Sequence, residues 1–456
     1  MTSPVMDYRQ ALDYLLSFAD YERASTSRIR YRDFNLERVR QLLTRIDRPD
    51  RRFASIHIAG TKGKGSTAAM IASILNHAGY RTGLYTSPHL HTMRERIAVG
   101  GSPISEEAFA RGVEALSTAV AEVNAQDTWG RLTTFELLTA LGFHHFANEG
   151  VPHAVVEVGL GGRLDATNVL SPQVTAVTNI SLDHTEVLGD SLAQIAAEKA
   201  GIIKPGIPVI CAPQTPEALE VIRRTAAEKG SPLTLVGRDV VSRAIETGPA
   251  GQTMTVTTAR GEREIRTPLL GAHQRENAAM AVAVVEALEE RGVAVPPDAV
   301  RLGLERVEWP GRLEVLSRQP LIVADGAHNP YSMKRLVEAL EETFDFERVV
   351  AVFGGGRSKR MGPMLGELAR LSRIAIVATR SRHPKAAPVE DIVREAAALG
   401  MDVTEAGETA AALALARELA GPDDLIVATG SLFVAAEARE TILGIEPEID
   451  AGVALV

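Results

Sequence analysis

Short runs rich in Val, Ile and Ala alternate along this chain with longer segments whose apolar residues recur at helical spacing. "ASIHIA" (54–59), "HAVVEV" (153–158), "QVTAVTNI" (173–180) and "PVICAP" (208–213) read as strands, while "SEEAFARGVEALSTAVAEV" (105–123) and "TFELLTALGFHHFANEG" (134–150) read as helices. The alternation predicts a largely parallel sheet with helices on both faces. The rhythm restarts in "PLIVADG" (320–326), "RVVAVFGGG" (348–356), "RIAIVATR" (373–380) and "DLIVATG" (424–430), each followed by a helical stretch. A second α/β domain is expected there. In "RVEWPGRLEV" (306–315), Pro310 and Gly311 end the helical pattern "PPDAVRLGLERV" (296–307), so the expected division is a first domain over 1–307, a linker over 308–312 and a second domain over 313–456. "GPAGQTMTVTTARGEREIRTPL" (248–269) alternates with period two between glycine turns, which predicts a small antiparallel meander appended to the first domain.

Length and composition agree with this reading. A chain of 456 residues exceeds what one core usually supports. With 45% hydrophobic and 23% charged residues it has the balance of an ordinary globular protein. A formal net charge of −9 gives no basic footprint for nucleic acid, so small molecules are the expected partners. The single cysteine, Cys211, lies in an apolar run, which excludes a disulfide framework and fits an inert buried thiol. No signal-peptide pattern or apolar stretch of membrane-spanning length appears, and the expected location is the cytoplasm.

Candidate chemistry is concentrated between residues 60 and 67. Gly60, Thr61, Lys62, Gly63, Lys64, Gly65, Ser66 and Thr67 follow a predicted strand and precede a helix with apolar positions at Ala69, Met70, Ile74 and Leu75. Glycines let backbone N–H groups approach phosphates, a helix N-terminus adds partial positive charge, a lysine pairs with β- and γ-oxygens, and a hydroxyl binds Mg²⁺. The context is that of a nucleotide-triphosphate loop. Two residues separate Gly60 from the Gly63-Lys64 pair where the general P-loop has four, and Gly65 intervenes before Ser66. "GLGG" at 159–162 is not a dinucleotide fingerprint, because its third glycine would have to fall at Leu164. Glu157 stands at the predicted carboxyl end of a strand, where ligands gather in open α/β sheets. Taken singly, His184 reads as a loop histidine and Lys199 as a solvated helix lysine, and capping or satisfying a helix is the alternative to a ligand contact for Asn277.

The shortened loop resembles that of the Mur ligase superfamily, and the extra glycine resembles its folylpolyglutamate synthase/dihydrofolate synthase branch. The resemblance runs from about residue 30 to 440 and implies an α/β P-loop ATPase domain followed by a Rossmann-like ligase domain. It implies ATP contacts at Gly60, Thr61, Gly63, Lys64, Gly65, Ser66, Thr67, Asn277, Arg312, Asp325 and Tyr331. It implies two Mg²⁺ ions held through Ser66, Ser87 of the "TSPHL" loop, Glu157, His184 and a carbamylated Lys199. His328 would orient the γ-phosphate or the intermediate, giving a catalytic set of Lys64, Lys199 and His328. "YRDFNLERV", "LTTFE" and "RLDATN" resemble pterin contacts, pointing to Asp33, Phe34, Thr133, Thr134, Phe135, Glu136, Leu164, Asp165 and Ala166.

The activity implied is ATP-dependent addition of L-glutamate to a pterin-linked carboxylate through an acyl phosphate, on dihydropteroate, on folates or on both, by a monomer. One region departs from the family's pattern. Ser358, Lys359 and Arg360 stand where an aspartate-lysine-aspartate run is common, and Lys385 stands where arginine is common. Lysine keeps the charge but loses the bidentate fork, so amino-acid affinity or identity is open here. A ligase acting on UDP-sugar peptides and a non-catalytic nucleotide-binding protein are the rival readings.

Overall fold

The computed structural model describes residues 6–20, 34–126 and 128–448. Three sheets organise them. The first runs β4-β3-β2-β5-β1-β6-β7-β8, with β1 Ala54–Ala59, β2 Gly83–Tyr85, β3 Ile97–Val99, β4 Ser102–Pro103, β5 His153–Glu157, β6 Val174–Val177, β7 Val209–Cys211 and β8 Leu233–Leu235. All its pairings are parallel except β2 with β3 and β3 with β4. The sheet is therefore largely parallel with an antiparallel edge.

Alternation of side chains along these strands feeds two layers. Ile56, Ile58, Val155, Val174 and Ile210 pack against the helices Lys64–His77 and Ala272–Glu289. Tyr85, Ala154 and Val156 face the opposite way, toward the helices Glu106–Gln126 and Thr134–Asn148. Both faces of β5 are buried throughout, which is why Ala154, Val155 and Val156 form an unbroken apolar run between His153 and Glu157. The meander is a separate antiparallel sheet of β9 Val241–Gly248, β10 Gly251–Thr258 and β11 Gly261–Thr267. Its Met254, Val256 and Ile265 join the core beneath the helix Ala272–Glu289, so it belongs to this lobe.

The third sheet has the order β12-β13-β17-β14-β15-β16, from β12 Glu314–Arg318, β13 Leu321–Ala324, β14 Val349–Phe353, β15 Ile374–Arg380, β16 Asp402–Glu408 and β17 Leu425–Thr429. Only β12 runs antiparallel to its neighbour. Val349, Ala351 and Phe353 point to one helical layer, Val350 and Val352 to the other.

The lobes are joined by side-chain contacts such as the Arg275–Glu342 ion pair at 2.8 Å and by two segments outside the sheets. One is the segment after the helix Pro297–Glu305. The other is the stretch beyond the helix Leu432–Leu443, where the Glu448 N–H donates to His91 O at 3.0 Å and the Glu448 carboxylate accepts from Met93 N at 2.8 Å. His91 also meets Glu440 at 3.1 Å. Among the described residues no helix is long and apolar enough to cross a membrane.

Candidate active site

Strand β1 ends at Ala59, and the loop that follows emerges between β5 and β6. Successive connections leave to opposite sides of the sheet at that point, which opens a crevice at the carboxyl ends of the strands. Gly63 terminates the loop with φ +88°, and its Cα faces Asn277, whose Oδ1 would lie 2.6 Å from any Cβ there. The helix then begins at Lys64 with no side-chain cap, leaving its first N–H groups for a ligand. Gly65 lies under the indole of Trp309, so a Cβ would stand 2.5 Å from Cζ2.

Thr61 ties the loop to the turn after β6. Its N–H donates to Asn179 O at 2.7 Å, and its hydroxyl bridges the Ser181 backbone, with N–H and carbonyl each at 3.2 Å. Ser66 is buried and accepts from Gln274 Nε2 at 3.3 Å, and Gln274 in turn accepts from Asn277 Nδ2 at 2.9 Å. Asn277 is thus a buried residue inside a helix and aimed at the loop, not a cap. Thr67 Oγ1 is buried with no hydrogen-bond partner among the described residues.

Glu157 is the last residue of β5 and only 4% exposed. Its Oε1 lies 3.6 Å from Lys64 Nζ, and its Oε2 accepts from the Ser87 N–H at 3.2 Å. Burial pushes its carboxyl up, with Lys64 and Ser87 opposing. Lys199 is buried rather than solvated, on the helix Leu192–Ala200, and donates to Gly60 O at 2.8 Å. Burial, with the neighbouring Lys64, brings its ammonium down to about 7. Lys199 is shielded from solvent because the loop 160–163 folds over its helix. A Cβ on Gly162 would meet Glu198 O at 2.7 Å.

His184 has a left-handed backbone, φ 50°, ahead of the helical turn Thr185–Leu188. Its Nε2 is 4.0 Å from Asp183 Oδ1, and its side chain is half-exposed. Its neighbour Asp183 is the residue on which the lobes converge. Its Oδ2 accepts from Lys62 Nζ at 3.0 Å and Asn329 Nδ2 at 3.2 Å, and its Oδ1 accepts from Lys359 Nζ at 3.1 Å. Burial opposes ionisation, but Lys62 and Lys359 hold this carboxyl far below the ordinary carboxylate range.

From the second lobe, His328 Nδ1 lies 2.8 Å from Gly326 O, so Nδ1 is the protonated nitrogen and Nε2 accepts from Lys62 Nζ at 2.8 Å. Lys62 and burial bring this imidazole down to about 4. Asp325 is engaged as a loop brace, accepting from the Leu313 N–H at 2.9 Å and the Ala327 N–H at 2.8 Å. Arg312 donates to Gly311 O at 3.0 Å, with Asp325 and Glu157 as its nearest countercharges. Tyr331 sits farther along, with the Arg335 guanidinium 5.6 Å from its ring centre.

The residues expected around the pterin border two clefts. Phe34 and Leu164, with Leu160, Val187 and Leu188, line one of about 220 Å³. Thr134 and Phe135, with Asp20, Met93 and Arg96, line another of about 200 Å³. Thr133 and Glu136 form a capping box at the start of their helix, and Glu136 also takes a buried ion pair from Arg38 Nε at 2.7 and 2.9 Å. Asp165 accepts from the N–H groups of Leu160 at 2.8 Å and Thr167 at 3.0 Å, while Ala166 is buried. Asp33 lies outside the described residues.

Among the described residues no three His, Cys, Asp or Glu side chains are grouped to hold a metal ion. Oxygen groups at the crevice include the Glu157 carboxylate and the buried Ser66 hydroxyl. Lys62, Asp183, Gln274, Trp309 and Asn329 were not read from the sequence as site residues. The run "SLDH", separated by three residues from the end of the buried strand β6, was the available signal for Asp183.

Comparison with known proteins is consistent along the chain. Residues 58–285 match the Mur ligase middle domain, and residues 311–432 match the Mur ligase glutamate ligase domain. A dihydrofolate synthase/folylpolyglutamate synthase of Bacillus subtilis is 36% identical over 410 residues, covering 89% of this chain and 94% of that one. The structure of Mycobacterium tuberculosis folylpolyglutamate synthase complexed with ADP superposes with a TM-score of 0.87 at 33% identity, covering 97% of this chain and 99% of the other. Escherichia coli FolC in complex with DHPP and ADP gives 0.85 at 29% identity, with 97% and 99% covered. The motif at 60–66, the carboxylate and lysine behind it, and agreement in sequence and fold across both lobes place this chain in the folylpolyglutamate synthase/dihydrofolate synthase family of Mur ligases.

Proposed function

We propose that this protein is an ATP-dependent ligase that joins L-glutamate to a pterin-linked carboxylate, acting on both dihydropteroate and the γ-carboxylate of folates. The observation that carries the reading is the convergence of two lobes on one crevice. Lys62, Lys64, Glu157 and Asp183 come from the first lobe, and His328 and Lys359 meet them from the second. In the reaction the substrate carboxylate takes the γ-phosphoryl group of ATP and ADP departs. The glutamate amine then attacks the acyl carbon, loses a proton, and phosphate leaves as the amide forms. Closure of the lobes excludes the water that would otherwise consume the acyl phosphate.

Each residue's part follows from its surroundings. The uncapped helix start and Lys64 stabilise charge on the transferring phosphoryl group. Neutral His328 accepts from Lys62 through Nε2 and so holds that lysine at the crevice, where the pair would orient the γ-phosphate or the intermediate. Asn277 and Gln274 buttress the loop, and Arg312, Asp325 and Tyr331 form the second-lobe border of the nucleotide site. Ser66, Ser87 and Glu157 form the oxygen set that fits Mg²⁺, with His184 and Lys199 completing it once Lys199 carries a CO₂-derived carbamate. Bound there, the ions would neutralise phosphate charge. Lys199 suits that modification because burial keeps much of its amine neutral and nucleophilic near pH 7. Supply of ¹³C-bicarbonate should give a carbamate carbon resonance that Lys199→Met lacks.

The clefts beside Phe34 and Phe135 are the candidate pterin surface, and the loops 357–360 and 382–385 are the candidate glutamate surface. Residues 308–312 are the proposed division between domains, and we take the working unit to be a cytoplasmic monomer, which light scattering would test. The deciding experiment incubates purified protein with Mg²⁺-ATP, bicarbonate and L-glutamate, comparing dihydropteroate with tetrahydrofolate. One phosphate released per added glutamate, by mass, is the expected result with both acceptors. Turnover of folate without dihydropteroate would remove the bifunctional reading, and no product with either would redirect the search to UDP-linked acceptors.

A further inference from the structure

Trp309 lies in the connection between the lobes, and its ring covers the phosphate loop. Cζ2 and Cε2 stand 2.5 and 3.1 Å from the point a Cβ of Gly65 would occupy, and Glu157 Oε2 is 3.4 Å from that same point. The indole, the Gly65 backbone and the carboxylate paired with Lys64 therefore meet at one place. The Trp309 Nε1 hydrogen is buried and has no hydrogen-bond partner among the described residues. Native proteins leave few such donors, and one bordering an anion-binding loop calls for a missing acceptor.

We infer that Trp309 is a positioning residue whose indole N–H is satisfied by a phosphate oxygen of the bound nucleotide, so that occupation of the loop fixes the connection between the lobes. This inference rests on the proposed nucleotide site. Two residues beyond Trp309, Gly311 O accepts from the Gly326 N–H at 3.0 Å, and Gly326 O accepts from His328 Nδ1 at 2.8 Å. A short covalent and hydrogen-bonded path thus leads from the phosphate loop to the second-lobe histidine. Nothing in it requires the ring to react. The indole gives shape and a donor, and the phosphate gives the acceptor that the fold omits.

The test uses the full chain and compares Trp309 with Trp309→Phe, which keeps an aromatic ring and deletes the N–H. The only other tryptophan, Trp129, is exposed, so a Trp129→Phe background isolates the Trp309 fluorescence. Titration with ADP or a non-hydrolysable triphosphate should change that fluorescence saturably, whereas adenosine should not. Trp309→Phe should weaken ADP binding by calorimetry and raise KM for ATP about tenfold, as expected for losing a hydrogen bond to a charged group, while kcat changes less. Equal ADP affinity in the two proteins, or a fluorescence response to adenosine equal to that for ADP, would overturn the inference. Absence of ADP binding to the unsubstituted protein would instead overturn the nucleotide site itself. A merely structural role predicts lowered thermal stability with unchanged nucleotide affinity, which also counts against the inference.

Discussion

Lys62 Nζ donates to His328 Nε2 across 2.8 Å, joining the phosphate loop of one lobe to the loop after β13 in the other. This contact keeps His328 in one tautomer and holds its pKa near 4. Replacing Lys62 by Met removes the leading cause of that depression, so the imidazole should titrate toward its ordinary 6.5. The sign is definite: His328 becomes protonated at a higher pH, and the acid limb of kcat/KM moves upward. Histidine NMR titration, read beside the pH profile of the ligase, checks this. An unmoved resonance contradicts it.

Removing the cation beside Glu157 should cost catalysis more than folding. Lys64→Met is expected to lower kcat by about 100-fold or more, the scale of losing one group that stabilises developing charge. Nucleotide binding measured by calorimetry separates this from simple loss of ATP.

Gly65→Ala forces a Cβ to within 2.5 Å of the Trp309 ring. Overpacking of this kind costs about 1–3 kcal/mol. Here it should appear as weaker nucleotide binding, because the ring and the loop must separate. The double variant Gly65→Ala with Trp309→Ala should recover fold stability relative to Gly65→Ala alone in a thermal melt, and additive losses would show that the two residues act independently.

Asp183 is the hub between lobes, accepting from Lys62, Asn329 and Lys359. Asp183→Asn leaves two lysines facing each other with no anion between them, and unpairing a buried ion pair costs about 2–5 kcal/mol. Small-angle scattering should show a larger radius of gyration for the variant, with turnover reduced.

His57 provides a stability test away from the crevice. It is fully buried in β1, with Nε2 2.8 Å from Thr167 Oγ1, and burial and then Lys204 lower its pKa from 6.5 to about 3. Between these values the unfolded chain binds the proton and the folded chain does not, so stability falls as pH drops from 6.5 toward 3. The slope attributable to this one group is about 1.4 kcal/mol per pH unit. Urea unfolding at several pH values should show a shallower acid loss for His57→Gln.

Strand placement was legible because burial on both faces of β5 and β14 leaves the apolar runs 154–156 and 349–353, while β1 interleaves its apolar residues with buried Ser55 and His57. The loop at 60–66 was legible because glycine and lysine at a strand-to-helix junction serve few other purposes. Asp183 was not, since its partners lie 121, 146 and 176 residues away and two of them, Asn329 and Lys359, stand on the other lobe. Glu136 and Asp165 illustrate the opposite difficulty. Their motifs point to a ligand, while their carboxylates in the structure are occupied by Arg38 and Thr133 and by backbone N–H groups.

The contact of Glu448 with His91 and Met93 fastens the lobes far from the Trp309 segment, and the Arg275–Glu342 ion pair at 2.8 Å and the Asp183 contacts fasten them elsewhere. Ties spread over separated places restrict sliding and twisting together, so the crevice is a bounded space whose two walls keep a common register.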